Sequence, residues 1–462
     1  MLTLQLGLNK QFSSGFPTPS FSTGAKLLIV GDSIAQQNHI ATSSKVGSRN
    51  NGWIQWCLSR LPAFQNVIYY DATATGGAAP PLFRGGNYGQ SGDTAPEIAA
   101  RTTPMVNSGA DVAVVLCGTN TGADSSVSVA TSAIQDILDD LTGADIYVVL
   151  CTIWPREVEA AVSGSTISPA LWERIENINA WIRTKNSENI KVIDPVSVLK
   201  DPNPISPLLE GSPLPGLYYD EVHPAAKGAK VAGDVLYDFL KNTIASDIYS
   251  STWFEADPTD AGNRLLDGDL DGTSGTARHG MTGTVASNWV AECQNGGTNV
   301  TGVASVGSSP YHSGQYQQMV LTSDGAGSAT GQEKCQFLPL GFRVNEGAMT
   351  NGDYQSLKIL VEVDNPDGVL GSLYAENRNT TTGEFGYGME FRNGTNADEP
   401  MPTGSYTIWL ESQPIVYNTS DVFSPALVFP ILEGVSGTCT LKVHDALLIG
   451  VEDPDVTFPY TP

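Results

Sequence analysis

The sequence predicts two fold classes in one chain: an α/β three-layer domain with a parallel sheet over residues 25–249, and an all-β jelly-roll sandwich over residues 250–462, preceded by an N-terminal arm at residues 1–24. Three observations carry this division. Between residues 27 and 240, short apolar runs alternate with helix-like stretches, the pattern of βαβ units that close a parallel sheet under helices. Beyond residue 250 helical spacing almost disappears, and short alternating runs lie between Gly-, Thr- and Asn-rich turns, as in an antiparallel sandwich. The charge is uneven as well: residues 250–462 hold 8 Lys and Arg against 26 Asp and Glu, and residues 1–249 hold 16 against 23. A chain of 462 residues is also too long for a single core.

Taken in order, residues 1–24 are rich in Ser, Thr, Phe and Gly, lack periodicity and read as an extended arm. Leu27-Leu28-Ile29-Val30 is a first strand, because a continuous apolar run bounded by turn residues needs cover on both faces, and it stops at Gly31-Asp32-Ser33. Ser33 therefore belongs just past a strand's carboxyl end, where open α/β sheets place their ligands. Trp53–Leu58 reads as a short helix and Asn66–Tyr70 as a second strand. The Gly- and Pro-rich stretch from Gly76 to Gly86 is long enough to line a substrate. After Asn87–Thr94 comes a helix, Ala95 to Arg101. Asp111–Cys117 is a third strand and ends in Gly118-Thr119-Asn120-Thr121. Val127–Leu141 has helical spacing, and Asp145–Ile153 is a fourth strand. Ser168 and Pro169 supply an N-cap and a first-turn residue for a helix to about Arg183. Ile190–Ile193 is a fifth strand, and Asp220-Glu221-Val222-His223-Pro224 opens a last helix to about Leu240. In the second region Ser356–Val363, Ser405–Leu410 and Cys439–Val443 read as strands.

Composition excludes several functions. A formal charge of −25 argues against nucleic acid or an anionic membrane surface as partner, since phosphate binding needs clustered Lys and Arg. No apolar run approaches the length of a membrane helix, so no membrane insertion is expected, and Met1–Gly7 lacks the basic start of a Sec signal peptide. Six cysteines, three on each side of residue 250, make no disulfide framework, and Cys117 and Cys151 read as small buried hydrophobes. Asp267, Asp269 and Asp271 imitate the start of a calcium loop, but Arg278 stands at the twelfth position in place of Glu, which argues against an EF-hand. A structural calcium held by a turn of the β-region stays open as an alternative. His39, His279, His312 and His444 have no partners nearby in sequence comparable to the Asp220-x-x-His223 pair and read as structural or surface residues.

A serine becomes a nucleophile when an imidazole takes its proton and a carboxylate holds that imidazole in one tautomer. Asp220 and His223, three residues apart beside the rigid Pro224, have the spacing to supply both. Acyl transfer further needs donors aimed at the developing oxyanion; Gly92 offers a backbone N–H and Asn120 a side-chain amide. Each residue alone has an ordinary structural reading, as a helix cap, a turn glycine or a loop cap. Together, Gly31-Asp32-Ser33 after the first strand, Asn87-x-Gly89-x-Ser91-Gly92-Asp93-Thr94 after the second, Gly118-x-Asn120 after the third and Asp220-x-x-His223 near the end form an ordered set. This set resembles the SGNH, or GDSL-type, hydrolase family over about residues 25–243. The resemblance implies a flavodoxin-like sheet, Ser33 as nucleophile with Asp220 and His223 as its triad partners, and an oxyanion hole formed by Ser33, Gly92 and Asn120. No metal and no cofactor are expected in that site. Ala35 stands where an α/β-hydrolase elbow would have its second glycine. Ile34 replaces the family's usual leucine, and Thr121 the aspartate common after the asparagine.

In the second region, Asn263–Leu270, Asn288-Trp289 and His444–Ile449 resemble the opening and final strands of galactose-binding-like jelly rolls and carbohydrate-binding modules. Trp289 and Trp409, with Trp154 in the first region and Tyr311 and Tyr374 in the second, are candidates to stack on sugar rings, with burial in a core as the alternative. These likenesses favour an ester on a polysaccharide, O-acetyl foremost, over a lipid ester. An acidic SGNH domain fused to a β-sandwich is similar to bacteriophage virion proteins that strip acyl groups from host surface glycans. That architecture implies an acylated polysaccharide as substrate, other virion proteins as partners and the phage particle as location. The alternatives are a carbohydrate-binding or structural virion protein with a vestigial hydrolase domain, and a bacterial esterase of broad short-chain specificity exported by another route.

Overall fold

The computed structural model describes residues 18–451 apart from 71–82, 121–125, 160–163, 245–264, 294–298, 327–332, 341–349, 391–399 and some shorter stretches. Its first part contains strands β1 (Ala25–Gly31), β2 (His39–Ala41), β3 (Lys45–Arg49), β4 (Phe64–Gln65), β5 (Ile68–Tyr70), β6 (Phe83–Gly85), β7 (Asn87–Gly89), β8 (Val112–Leu116), β9 (Tyr147–Cys151) and β10 (Ile190–Ile193). The helices are α1 (Ser33–Gln36), α2 (Trp53–Leu58), α3 (Ala95–Ala99), α4 (Thr103–Val106), α5 (Val127–Gly143), α6 (Pro169–Ile182), α7 (Val196–Leu199) and α8 (Ala226–Leu240).

The central sheet runs β10-β9-β8-β1, with β4 and β7 on the far side of β1, and every pairing in it is parallel. Side chains alternate across β1: Leu27 and Ile29 pack into the layer of α2 and α8, Leu28 and Val30 into the layer of α5 and α6. Both faces are covered, which is why the run is continuously apolar. The expected three-layer α/β class with a parallel sheet is therefore what the chain adopts.

The second strand differs from expectation. Ile68–Tyr70 pairs antiparallel with Phe83–Gly85 in a separate ribbon. Its place beside β1 is filled end to end by Phe64–Gln65, against Ala25 and Lys26, and by Asn87–Gly89, against Ile29 to Gly31. With that edge occupied, Ile68–Tyr70 has no ladder left to join. Most of the Gly76–Gly86 loop lies outside the described residues, as does the arm before residue 18. Phe21 anchors the described start of the chain: its N–H donates to the Thr243 carbonyl at 2.7 Å and its ring meets Phe64 and Tyr147 edge-on.

The second part is all β: β11 (Thr276–Arg278), β12 (Met281–Gly283), β13 (Trp289–Cys293), β14 (Val300–Ser308), β15 (Gln315–Asp324), β16 (Glu333–Pro339), β17 (Tyr354–Asn365), β18 (Tyr374–Asn379), β19 (Glu384–Glu390), β20 (Gly404–Glu411), β21 (Ile415–Val416), β22 (Phe423–Ile431) and β23 (Ser436–Val451). One sheet runs β12-β14-β15-β23-β17-β20, with β21 also on β17, and the other runs β11-β13-β16-β22-β18-β19-β3-β2. Most pairs are antiparallel, but β11–β13, β12–β14 and β19–β3 are parallel. The last two strands of the second sheet come from the α/β part: β3 lies against β19, and β2 folds back on β3. The Met389 N–H donates to Ser48 Oγ at 2.8 Å, the Trp409 N–H to the Ser59 carbonyl at 2.6 Å, and Trp56 meets Tyr406 edge-on at 5.7 Å. One apolar core therefore runs from the α2/α8 layer into the space between the two sheets.

Candidate active site

The site is built where β1 ends. An added Cβ on Gly31 would lie 2.1 Å from the Leu116 carbonyl oxygen, so the approach of β1 to β8 demands glycine there. Asp32 then caps α1, its Oδ1 accepting the Ile34 N–H at 3.1 Å, and Ser33 occupies the helix's first position. Across 190 residues of sequence, His223 Nε2 lies 2.8 Å from Ser33 Oγ, and His223 Nδ1 lies 2.8 Å from Asp220 Oδ2. The other Asp220 oxygen accepts the N–H groups of Val222 and His223 at 2.8 and 2.7 Å. Asp220 thus caps its own turn rather than a helix, since α8 starts only at Ala226. Burial pushes the Asp220 carboxyl up, but the His223 ring and the two amides outweigh it and hold it below the usual carboxylate range. An ionised carboxylate only accepts, so the hydrogen-bond network assigns the proton to Nδ1 and turns the Nε2 lone pair toward the Ser33 hydroxyl.

Gly92 has φ +87°, a left-handed conformation, and an added Cβ would meet nothing within 4 Å. Glycine is required there by the backbone turn rather than by crowding within the protein. Among the described residues, neither the Ser33 nor the Gly92 N–H has a protein partner. Asn120 donates one amide hydrogen to the Asp93 carbonyl at 3.1 Å, which leaves the other available. The loop carrying Gly92 is tied to the end of β1 and to the helix that opens at Ser33, because Gln90 N–H donates to the Gly31 carbonyl and Ser91 N–H to Gln36 Oε1, both at 3.0 Å.

Nothing in the sequence marks Arg101, which closes an Ala-rich helical run. Its guanidinium donates to Asp93 Oδ2 at 2.8 Å, to the Tyr88 carbonyl at 2.6 Å and to the Gly31 carbonyl at 3.0 Å. One planar fork thus fastens the end of β1, the end of β7 and the loop that carries Gly92, and through Asp93 it fixes the carbonyl that orients Asn120. Arg101→Lys retains a charge but cannot span three acceptors. We expect it to lower turnover roughly tenfold and to cost about 1–3 kcal/mol of stability, measured by steady-state kinetics and urea melts.

Asp32 is fully buried, with the Ile34 N–H on its Oδ1 and Thr119 close beside the carboxyl. Burial pushes its carboxyl up to about 6; the Ile34 N–H, Thr119 and the His223 ring pull it back only part of the way. The folded chain therefore holds this proton more tightly than the unfolded chain. The resulting stabilisation is complete below about pH 4 and is lost as pH rises through 6, a change of about 3 kcal/mol. Thermal melts between pH 4 and 7 should show Asp32→Asn gaining on the wild type as pH rises; parallel profiles would contradict the assignment.

The aromatic candidates fall elsewhere. Trp154 is buried edge-on against Trp53 at 5.2 Å, Trp289 is stacked on Phe337 at 4.5 Å, and Trp409 is only 5 % exposed. A sugar platform needs one open ring face and none of these has one, so all three tryptophans are corrected to core residues. Tyr374 is likewise buried against Tyr387, and Tyr311 meets the buried His444 edge-on at 4.7 Å. His39 lies between Gln55 and Asn87, and His279 and His444 have Glu292 and Glu362 within ion-pair distance from other strands. Thr121, Asp267 and Asp269 lie outside the described residues. Among the described residues no three His, Cys, Asp or Glu side chains gather as a metal site.

Residues 29–231 match the model of the GDSL-like Lipase/Acylhydrolase family. No curated protein matches the chain. Among solved structures the chain is similar to a carbohydrate esterase family 3 protein from Talaromyces cellulolyticus, with 16% identity and a TM-score of 0.32 over 47% of this chain and 97% of that one. It is similar also to a GDSL-like lipase from Bacteroides thetaiotaomicron, at 13% and 0.32 over 47% and 88%, and to a member of the lipolytic protein G-D-S-L family from Veillonella parvula, at 13% and 0.31 over 46% and 97%.

Proposed function

We propose that the chain is a serine esterase that removes O-acyl groups, acetyl foremost, from a polysaccharide. The observation that carries the reading is the unbroken path Ser33 Oγ, His223 Nε2, His223 Nδ1, Asp220 Oδ2, with both links at 2.8 Å, beside unpartnered N–H groups on Ser33 and Gly92. The match of residues 29–231 to an acylhydrolase family model supports the reaction class.

In the proposed cycle Ser33 Oγ bonds to the acyl carbonyl carbon as its proton passes to His223 Nε2. The carbonyl oxygen becomes an oxyanion held by the Ser33 and Gly92 N–H groups and the free amide hydrogen of Asn120. Collapse breaks the bond to the sugar oxygen, which leaves with the proton from Nε2. Water then attacks the acyl-Ser33 ester by the same path, releasing the carboxylic acid and restoring the hydroxyl. Asp220 remains ionised throughout and stabilises the imidazolium. A fluorophosphonate, which labels only an activated serine, should attach to Ser33 in the intact chain and block hydrolysis of 4-nitrophenyl acetate. Labelling elsewhere, or an unlabelled protein without hydrolysis, would refute the reading.

A further inference from the structure

The Asp220 side of the site adjoins a cleft of about 340 Å³ that no step above uses. Its apolar wall is formed by Pro204, Leu209, Pro213 and Leu214, and its polar groups include the carboxylates of Glu157, Asp201 and Asp220 with the Tyr218 ring. Ile205 stands at this cleft almost wholly exposed. The Tyr218 ring lines the cleft, while its hydroxyl is buried away from it.

The direction of the chemistry points into this cleft. For His223 Nε2 to return its proton, the leaving oxygen must come within hydrogen-bond reach of that atom while the carbonyl oxygen stays with Gly92 and Asn120. The acyl side of the substrate therefore faces the Gly92 and Asn120 loops. The alcohol side extends over the segment that carries His223, in which residues 213–216 with Tyr218 and Asp220 wall the cleft. Apolar patches between carboxylates suit a pyranose ring, which offers C–H faces and adjacent hydroxyls that donate to carboxylate oxygens. A uronate or sialate would instead meet three carboxylates. Of the cations beside the cleft, Arg156 already donates to the carbonyls of Thr119 at 3.1 Å and Ser165 at 2.6 Å, and Lys200 is paired with Glu210 at 3.4 Å.

Resting on the esterase reading, we infer that this cleft is the subsite for the sugar that leaves, an uncharged polyol ring held by Asp201 and Glu157 against the Tyr218 ring. The test compares three substrates: 4-nitrophenyl acetate, a neutral O-acetylated xylo-oligosaccharide and an O-acetylated oligogalacturonide. Wild type should favour the neutral oligosaccharide over the anionic one at least tenfold in kcat/KM. Glu157→Gln and Asp201→Asn should each lower kcat/KM for the neutral oligosaccharide roughly tenfold more than for the aryl ester, chiefly through KM. Both substitutions are isosteric, and each variant's rate on the aryl ester reports that it is folded. Equal losses on both substrates, no loss on either, or preference for the oligogalacturonide would overturn the subsite while leaving the esterase reading intact. So would hydrolysis of the aryl ester without either oligosaccharide. Failure to cleave any of the three would instead refute the esterase reading itself.

Discussion

Ser33→Ala is expected to lower kcat on a short acyl ester by about 10⁴- to 10⁶-fold, with the melting temperature within a few degrees of wild type. The size follows from the unit the side chain belongs to. The hydroxyl is the only atom of the set that forms a covalent bond, so without it the imidazole has no proton to accept and the acyl-enzyme route closes. What remains is the preorganised oxyanion pocket, which still accelerates attack by water about 10³-fold or more. His223→Ala should fall in the same range, and the double variant should be hardly worse than either single one, because a group of residues acting together is lost with its first member. Adding the two single losses would instead predict a rate below that of the uncatalysed reaction. A Ser33→Ala protein retaining more than a hundredth of wild-type turnover would show that another nucleophile, or directly activated water, performs the chemistry.

The sequence carried the site better than it carried the fold around it. Gly-Asp-Ser, the Gly92 block, Gly-x-Asn and Asp-x-x-His are local signatures, each set by a turn a few residues long, and the parallel sheet brings His223 Nε2 to Ser33 Oγ. Residues that act by spanning loops were not legible. Arg101 reaches three segments through one guanidinium, and nothing in an Ala-rich helical run announces that. The tryptophans failed for the opposite reason: an indole large enough to stack on a sugar is also large enough to fill a core, and only its neighbours decide. The second strand failed because pairing is competitive, with Asn87–Gly89 and Phe64–Gln65 holding the edge that Ile68–Tyr70 was expected to take.

The largest structural consequence lies in the strands that cross between the two parts. Divided at the undescribed segment 245–264, the chain should yield neither a stable α/β half nor a stable β half. Change of texture near residue 250 invites that cut, yet β2 and β3 form the last two strands of a sheet otherwise built from residues beyond 275. In the isolated β half, β19 would become an open edge, with the row of unpaired backbone groups that invites aggregation. In the isolated α/β half, Trp56, which is fully buried against Tyr406, and the β2–β3 hairpin would face water. Uncovering large apolar side chains costs about 1.5–3 kcal/mol each, so three or four of them equal much of the 5–15 kcal/mol that holds an ordinary domain together. Each half expressed alone should therefore be insoluble or melt without cooperativity, whereas the two co-expressed should reassemble and recover hydrolysis. A soluble, cooperatively melting, active residue 18–244 fragment would show that the shared sheet is only an adhesion between independent domains.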